Sequence, residues 1–267
     1  MKIAILSRYP RVDTAPWKLG LLNRLLEGGH EIAVVYTRSA LVDQVRAGLQ
    51  EFGLDALSRY RRARQAGGSG DDDRSPDSSV TQWAAQNDVP VLRHRTIGDP
   101  ALLADLRSYS PDLLLLAGAD IVPAAVLEVP AKGAINPHYG LLPTYRGMNV
   151  AEWSVFHGDP VGVTVHYVTP GIDTGDILER EAVEVEAGDT LQSIRVKQQA
   201  LSARLLLQAV ERIDTGRVKR IPQREEEGRQ FYRMHPSLRE RVEQSLESGR
   251  YSSARAASSA KARNIGA

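Results

Sequence analysis

The chain has 267 residues, of which 42% are apolar and 25% are charged, as in an ordinary folded globular protein. Its formal net charge is +1, so no overall attraction to nucleic acid or to a membrane surface is indicated. The absence of cysteine excludes disulfides, thiol catalysis and thiolate metal sites. No apolar run approaches the roughly 20 residues that span a bilayer, and no signal-peptide cleavage site follows the first strand. A cytoplasmic protein without a membrane partner is therefore the default expectation.

Alternating strand and helix patterns at the start of the chain predict a parallel sheet. Residues 2–6 (KIAIL) form a short apolar run typical of a buried strand. Pro16 begins a stretch of leucines at helical spacing that stops at Gly28, and residues 31–37 (EIAVVYT) form the next strand. Because strand, helix and strand follow in order, we expect right-handed crossovers in an α/β, Rossmann-like, mostly parallel sheet flanked by helices.

Further elements follow a polar interruption. Residues 67–79 (GGSGDDDRSPDSS) contain no large apolar residue, which predicts a mobile surface loop. Apolar runs at residues 89–92, 113–116 and 161–168 predict further strands. Residues 189–213 carry leucines on one face after a capping Asp-Thr pair, which predicts a long helix.

The last part of the chain differs in composition. Residues 216–267 hold 12 Lys and Arg against 6 Glu, a net charge of +6. Residues 251–267 are poor in bulky apolar groups, which predicts a disordered end. We therefore divide the chain into a main domain at residues 1–215 and a short C-terminal extension at residues 216–267.

Asn136, Pro137 and His138 are the first candidates for chemistry. They follow a predicted strand, and alternation along a strand lets Asn136 and His138 point the same way. Pro137 restricts Asn136 to extended geometry. An amide and an imidazole aimed at one point suit the stabilisation of a carbonyl oxygen that gains negative charge.

Two turn-rich segments follow this triplet. Residues 140–147 (GLLPTYRG) carry one arginine, and residues 171–176 (GIDTGD) form a tight loop after the predicted strand at 161–168. A carboxylate such as Asp173 on such a loop can hold an imidazole and stabilise its charge.

These segments together resemble the folate-dependent formyltransferases. The hallmark of that family is Asn-x-His, then Leu-Pro-x-x-Arg-Gly, then Asp-x-Gly on a later loop. The chain carries NPHYGLLPTYRG at residues 136–147 and GIDTGD at residues 171–176, and LAGADIVPAAVLEVP at residues 116–130 resembles the family as well. The similarity covers roughly residues 1–180, and it implies that residues 1–215 form a catalytic domain.

The resemblance implies a role for each of the three central residues. Asn136 and His138 would bind the formyl oxygen in the tetrahedral intermediate. Asp173 would orient His138 and favour its protonated form. The acceptor amine attacks the formyl carbon of the co-substrate 10-formyltetrahydrofolate, so no enzyme nucleophile is needed.

The resemblance and the basic extension together suggest two sets of binding residues. The residues expected to hold the pterin of the folate are Asp120, Ile121, Val122, Pro170, Gly171 and Ile172. The residues expected to contact the acceptor are Tyr139, Arg146, Gly147, Tyr232 and Arg233. Arg146 has an alternative role as a brace of its loop, and the aromatic residues near Tyr232 could equally pack in a core or a dimer contact. No His, Asp and Glu cluster has metal-ligand spacing, so no metal is expected.

Two observations depart from the family pattern or fall outside it. Relatives usually carry Ser two residues after the histidine, where this chain has Gly140, so the acceptor side could differ in shape. His166 alternates within a predicted strand and has no partner pattern in the sequence, so we interpret it as a surface or packing residue.

The expected acceptor is a small-molecule amine, with a nucleotide-linked amino sugar preferred. Methionyl-tRNA and other small-molecule amines are alternative acceptors. The methionyl-tRNA formyltransferases resemble this chain at the motif, but they carry a further C-terminal barrel. Hydrolysis of 10-formyltetrahydrofolate is a further alternative. A catalytically inactive folate or nucleotide binder and a nucleic-acid binder are interpretations from other classes. A homodimer is a possible assembly.

Overall fold

The computed structural model describes residues 1–8, 16–37, 78–119, 121–253 and 256. The loop predicted at residues 67–79 lies outside these ranges except for Ser78 and Ser79, with which a helix begins. Asp120 also lies outside them. Of the end predicted to be disordered, only residues 251–253 and 256 are described.

The strands form one large and one small sheet. In chain order they are β1 (Lys2–Arg8), β2 (Glu31–Thr37), β3 (Val91–His94), β4 (Leu113–Leu116), β5 (Ala134–His138), β6 (Tyr145–Gly147), β7 (Gly162–Tyr167), β8 (Ile177–Ala182) and β9 (Arg229–Phe231). The large sheet has seven strands in the order β3-β2-β1-β4-β5-β7-β8. Its first five strands are parallel, while β7 runs antiparallel to β5 and to β8. This arrangement confirms the predicted Rossmann-like, mostly parallel fold class.

The helices flank the large sheet. They are α1 (Pro16–Glu27), α2 (Ser78–Gln86), α3 (Pro100–Tyr109), α4 (Ala124–Leu127), α5 (Val150–His157), α6 (Leu191–Asp214) and α7 (Pro236–Glu247). The helix α1 begins at Pro16 as predicted, and α6 is capped by Thr190, whose hydroxyl accepts a hydrogen bond from the Ser193 N–H at 3.1 Å. Within the described ranges, no helix is both long enough and apolar enough to cross a membrane.

Both faces of the sheet are buried, which explains the continuous apolar runs in its strands. Along β1, Ile3 and Ile5 belong to one apolar cluster, whereas Ala4 and Leu6 belong to the other. The first cluster includes residues of α1, α2 and α6, and the second includes residues of α3 and α4. Strand β3 begins at Val91 rather than at Val89, because the Val89 N–H donates to the Ala84 carbonyl at the end of α2.

The described part of the C-terminal extension packs onto the main domain. Its strand β9 pairs in parallel with β6 to form the small sheet, and Ile221 forms an antiparallel bridge with Ile177. The Tyr251 hydroxyl donates to the Asp159 carbonyl at 2.7 Å. Met234 and residues of α7 belong to the first apolar cluster, so the extension contributes to the main core.

Candidate active site

Strands β5 and β7 place three polar side chains on one face of the sheet. Asn136 pairs with His166 across the two strands, and His138 pairs with Thr164. Directly paired residues point to the same face, and residues two apart on one strand do so as well. Asn136, His138 and His166 therefore share a face, as the alternation along the strand predicted for the first two.

Asp173 reaches this face from the loop between β7 and β8. Because β7 runs antiparallel to β5, the loop leaves the sheet at the end opposite to the carboxyl end of β5 and folds back. The Asp173 Oδ2 atom lies 3.4 Å from the His138 Nδ1 atom, and its Oδ1 atom lies 3.4 Å from the His166 Nε2 atom. The Gly147 N–H donates to Oδ2 at 2.8 Å. The structure therefore brings together Asn136, His138 and Asp173, which the sequence singled out, and Asp173 reaches His138 from the opposite end of the sheet.

A backbone carbonyl fixes the neutral tautomer of His138. The His138 Nε2 atom lies 2.7 Å from the Tyr145 carbonyl oxygen, which can only accept a hydrogen bond. Nε2 therefore carries a proton, and in the neutral ring Nδ1 keeps the lone pair. Nδ1 is consequently the nitrogen that can exchange a proton beside Asp173.

Burial decides the charge of His138. Burial lowers the pKa of His138 below its ordinary value, and the nearby His166 acts in the same direction. The Asp173 carboxylate and the hydrogen bond to Tyr145 raise that pKa but do not outweigh burial. The family resemblance implied that Asp173 favours the protonated ring. It does act in that direction, yet the net shift favours the neutral ring.

Asp173 is held in its ionised form. Burial alone would raise the pKa of its carboxyl, but hydrogen bonding from His166, the charges of His138 and His166, and the Gly147 N–H together lower that pKa to about 2. The Asp173 backbone has a φ of 53°, in the left-handed region, which Asp and Asn tolerate better than most residues. The surrounding contacts therefore hold both the charge and the conformation of this residue.

His166 contacts Asn136 and Asp173, although the sequence suggested only a surface or packing role. Its side chain is 2% exposed, and its Nδ1 atom donates to the Tyr167 carbonyl at 2.8 Å. Its Nε2 atom lies 3.3 Å from the Asn136 Nδ2 atom and 3.4 Å from Asp173. The signal that could have identified it is its position opposite Asn136, which is apparent only once β5 and β7 are paired.

Gly140 explains how His138 can lie so close to the Tyr145 carbonyl. A Cβ atom at residue 140 would lie 2.9 Å from the His138 Nε2 atom, 3.0 Å from the Tyr145 oxygen and 2.8 Å from Val150 Cγ2. Such distances require a neighbour to move. The glycine at this position, where relatives usually carry Ser, is therefore matched to the contact between His138 and Tyr145.

A cavity of about 570 Å³ opens beside Asn136 and His138, within the usual size range of small-molecule sites. Its lining residues are Trp17, Lys18, Ala117, Gly118, Asn136, Pro137, His138, Tyr139, Gly147, Asn149, Val150, Ala151, Glu152, Arg195, Gln198 and Gln199. Burial lowers the pKa of Lys18 to about 8, and its ammonium donates to the Ser7 hydroxyl at 2.8 Å. Glu152 and Arg195 form an ion pair in the wall, with 2.5 Å between Oε1 and Nη2. The wall thus presents charges of both signs.

Of the residues expected to contact the acceptor, the structure brings Tyr139 and Gly147 to the cavity. Arg146, Tyr232 and Arg233 are not among its described lining residues. Arg146 is 4% exposed, and its guanidinium donates to Gln223 and to the carbonyls of Arg224 and Glu225. This geometry favours the alternative role of Arg146 as a brace. Tyr232 is 69% exposed, so its ring is available at the surface.

Of the residues expected at the pterin, those that the structure describes lie on two segments, at 121–122 and 170–172. Ile121 is 80% exposed and Ile172 is 36% exposed, which is unusual for such large apolar side chains. Val122 is buried and belongs to the second apolar cluster, which Val168 also contacts. Pro170 and Gly171 are exposed. In the described ranges, no group of three or more His, Asp and Glu side chains has an arrangement suited to a metal ion.

A family model for formyl transferase matches residues 12–210. The chain belongs to the formyl transferase family. Among its formyltransferase relatives, the methionyl-tRNA formyltransferase of Pelotomaculum thermopropionicum is 34% identical over 177 residues, which are 66% of this chain and 56% of that protein. The chain spans about half the length of the curated relatives it matches.

Solved formyltransferases share the fold. Glycinamide ribonucleotide transformylase 1 from Symbiobacterium toebii matches with a TM-score of 0.59 at 22% identity, covering 83% of this chain and 94% of that one. A sugar N-formyltransferase from Shewanella sp. matches with a TM-score of 0.58 at 16% identity, covering 91% of this chain and 86% of that one. At these identities the likeness concerns the fold.

Proposed function

We propose that this protein transfers the formyl group of 10-formyltetrahydrofolate to an amine. The observation that carries the proposal is the convergence of Asn136, His138 and Asp173 beside the cavity, in a chain of the formyl transferase family. An amide donor, a buried neutral imidazole and an ionised carboxylate are the groups that an acyl transfer between two amines requires.

The transfer then proceeds through a tetrahedral intermediate. The acceptor nitrogen forms a bond to the formyl carbon, and Asn136 donates to the oxygen that becomes negative. The resemblance implied that His138 binds the formyl oxygen, but the Nε2 proton of its neutral ring is already donated to the Tyr145 carbonyl. The His138 Nδ1 atom instead takes the proton that the attacking nitrogen loses, and Asp173 stabilises the imidazolium. The C–N10 bond then breaks, and the proton passes from His138 to the N10 atom of tetrahydrofolate.

For the folate, we propose a site at the two segments that contain Ile121, Val122 and residues 170–172. The exposed side chains of Ile121 and Ile172 supply apolar area for a flat pterin, and backbone groups of these segments supply hydrogen bonds. Asp120 is part of this proposal from the sequence alone.

For the acceptor, we propose a nucleotide-linked amino sugar. The Met234 N–H donates to the side chain of Asn149, which lines the cavity, so the segment that carries Tyr232 runs along the rim. The exposed Tyr232 ring could stack on a base, and Arg233 could meet the diphosphate. The fold likeness to a sugar N-formyltransferase over 91% of this chain is in keeping with this acceptor.

Methionyl-tRNA is a second candidate acceptor. Its support is the sequence similarity to methionyl-tRNA formyltransferases, which reaches 39% identity over 142 residues. Against it, the similarity covers only 46% of that relative. Binding of tRNA would fall steeply with salt, whereas binding of a nucleotide sugar would depend on salt much less.

The decisive experiment measures tetrahydrofolate release with 10-formyltetrahydrofolate and each of three acceptors: nucleotide amino sugars, glycinamide ribonucleotide and methionyl-tRNA. We expect turnover with an amino sugar and a loss of roughly 100- to 1000-fold in His138→Ala and in Asp173→Asn. The first variant removes the proton acceptor, and the second removes the charge that stabilises the imidazolium. Folding is checked by circular dichroism. Absence of formyl transfer to any amine, or near-normal rates in both variants, would contradict the proposal.

The role of Tyr232 is tested separately. Tyr232→Ala should raise the Michaelis constant for a nucleotide acceptor, whereas the matched control Tyr232→Phe keeps a ring and should leave that constant near the wild-type value. An unchanged Michaelis constant in a folded Tyr232→Ala protein would rule out stacking on this ring.

A further inference from the structure

We infer that Gln223, in the C-terminal extension, is a positioning residue for Asp173. This inference rests on the proposed formyl transfer and assigns the extension a part in it. Gln223 lies 50 residues after Asp173 in the chain and is not among the described residues that line the cavity. It therefore acts through Asp173 and does not touch the substrates.

The side-chain amide of Gln223 joins two segments of the site. Its Nε2 atom donates to the Asp173 carbonyl at 3.1 Å and to the Gly175 carbonyl at 2.6 Å. Its Oε1 atom accepts from Nε of Arg146 at 3.3 Å and from Nη2 at 3.2 Å. A glutamine amide carries two N–H donors and one carbonyl acceptor at one end of the side chain, and Gln223 uses both kinds of group.

Arg146 links Gln223 to the segment that binds the Asp173 carboxylate. Its buried guanidinium also donates to the carbonyls of Arg224 at 2.7 Å and Glu225 at 3.2 Å. Its neighbour Gly147 donates its N–H to the Asp173 carboxylate. A closed ring of contacts therefore runs through Gln223, Arg146, Gly147 and Asp173, holding the backbone of Asp173 on one side and its carboxylate on the other.

Two close backbone approaches fix the register of the extension against β6. Cβ atoms added at Gly147 and Gly228 would lie 2.2 Å from the Phe231 oxygen and 1.8 Å from the Pro143 oxygen, respectively. Glycine is thus required where the extension meets the segment before α5. The pairing of β6 with β9 places Arg146 opposite Gln230, so the extension cannot slide along β6 without breaking the ring.

The ring holds Asp173 at the distance from His138 that the proposed proton transfer needs. Asp173 has a left-handed backbone conformation and lies 3.4 Å from both histidines, a distance at the long end of hydrogen bonding. A conformation of this kind persists when its surroundings hold it. Releasing the loop at Gln223 would let Asp173 move away from His138, and a displacement of about 1 Å can cost on the order of 100-fold in rate.

The test substitutes Gln223 by the nearly isosteric glutamate. Gln223→Glu keeps an acceptor for Arg146 but turns the donor toward Asp173 and Gly175 into a charged acceptor that faces two carbonyls. We expect kcat to fall roughly 10- to 100-fold, whereas the Michaelis constant for the folate co-substrate should change less than about threefold. The matched control Gln192→Glu adds the same charge at an exposed position of α6, outside the ring of contacts, and should keep wild-type kcat. A wild-type kcat in Gln223→Glu, or an equal loss in both variants, overturns the inference.

A second measurement separates this inference from the proposed function. The ring nitrogens of His138 are titrated by NMR in wild-type protein and in Gln223→Glu, without substrates. Because Asp173 raises the pKa of His138, its displacement should lower that pKa further. An unchanged His138 titration overturns the positioning role whatever the wild-type activity is. A wild-type protein without formyl transfer, but with the altered titration in the variant, overturns only the proposed function.

Discussion

At the scale of single residues, His138 shows how burial and hydrogen bonding together select one protonation state. Its Nε2 proton is committed to the Tyr145 carbonyl, and burial outweighs the attraction of Asp173 for a second proton. A neutral imidazole beside a carboxylate can accept a proton and then be stabilised as a cation. The proposed transfer between two nitrogens needs both steps.

The pH dependence of the rate follows from these pKa shifts. We expect the acid limb of kcat/KM to have its midpoint below about 6.5, because the pKa of His138 is lowered and the neutral ring persists below the ordinary histidine value. In Asp173→Asn the midpoint should move to still lower pH, because the charge that raises the His138 pKa is removed. The acceptor amine ionises identically with wild type and with Asp173→Asn. The difference between the two pH profiles therefore reports the change in the pKa of His138. A midpoint that moves upward would contradict this assignment.

Gly140 lies where a larger side chain would press against His138, Tyr145 and Val150. Gly140→Ser should destabilise the fold by about 1–3 kcal/mol, because its Cβ atom would overpack against His138, Tyr145 and Val150. Urea unfolding measures the change. Unaltered stability would show that these neighbours yield readily, and that the glycine is not needed for the contact between His138 and Tyr145.

The residues of the site differ in how far the sequence could predict them. Asn136, His138 and Asp173 lie on motifs with family spacing, and the structure brings them together. His166 has no motif of its own, and only the register of β7 against β5 reveals its neighbours. Gln223 contacts chain segments 48 to 77 residues away, and no local pattern encodes such a contact.

At the scale of elements, the short strands β6 and β9 hold the extension against the site. They have three residues each and pair in parallel between Tyr145–Gly147 and Arg229–Phe231. Long buried strands are recognisable as apolar runs, and the starts of α1 and α6 are recognisable from Pro16 and Thr190. Three-residue strands carry no such periodicity, so β6 and β9 could not be predicted from the sequence.

Gly147 tests the importance of this pairing. Gly147→Ala should destabilise the protein by clearly more than Gly188→Ala, because both positions have positive φ but only Gly147 faces backbone at 2.2 Å. The control should cost about 1–2 kcal/mol from its conformation alone. Thermal unfolding of both variants gives the comparison. Equal losses would mean that the approach of β9 to β6 relaxes easily.

At the scale of the whole molecule, the extension contributes to the core as well as to the site. The Tyr251 side chain is buried. Its hydroxyl donates to the carbonyl of Asp159, a residue that follows the end of α5. The composition of residues 216–267 suggested a basic appendage, since charge counts do not show which apolar residues are buried. The alternation of strands and helices in the sequence predicted a mostly parallel sheet, whereas the docking of α7 on α5 could not be predicted from it.

The hydrogen bond from Tyr251 to Asp159 joins the extension to the main domain. Tyr251→Phe should lower the free energy of unfolding by about 1–2 kcal/mol, because it leaves a half-buried carbonyl without its hydrogen bond. If the extension is part of one cooperative unit, the variant should still unfold in a single transition, with coincident fluorescence and circular dichroism. Two separate transitions would instead show that the extension unfolds independently.

The ring through Gln223 also has a consequence for protein synthesis. The ribosome makes Asp173 before it makes Gln223, and the two are separated by 50 residues. At 5–20 residues per second, roughly 3–10 s pass between them. During that interval the nascent chain already contains Asn136, His138 and Asp173 but lacks the contact that holds the aspartate loop. Translation itself therefore sets the earliest moment at which a newly made molecule can complete its site.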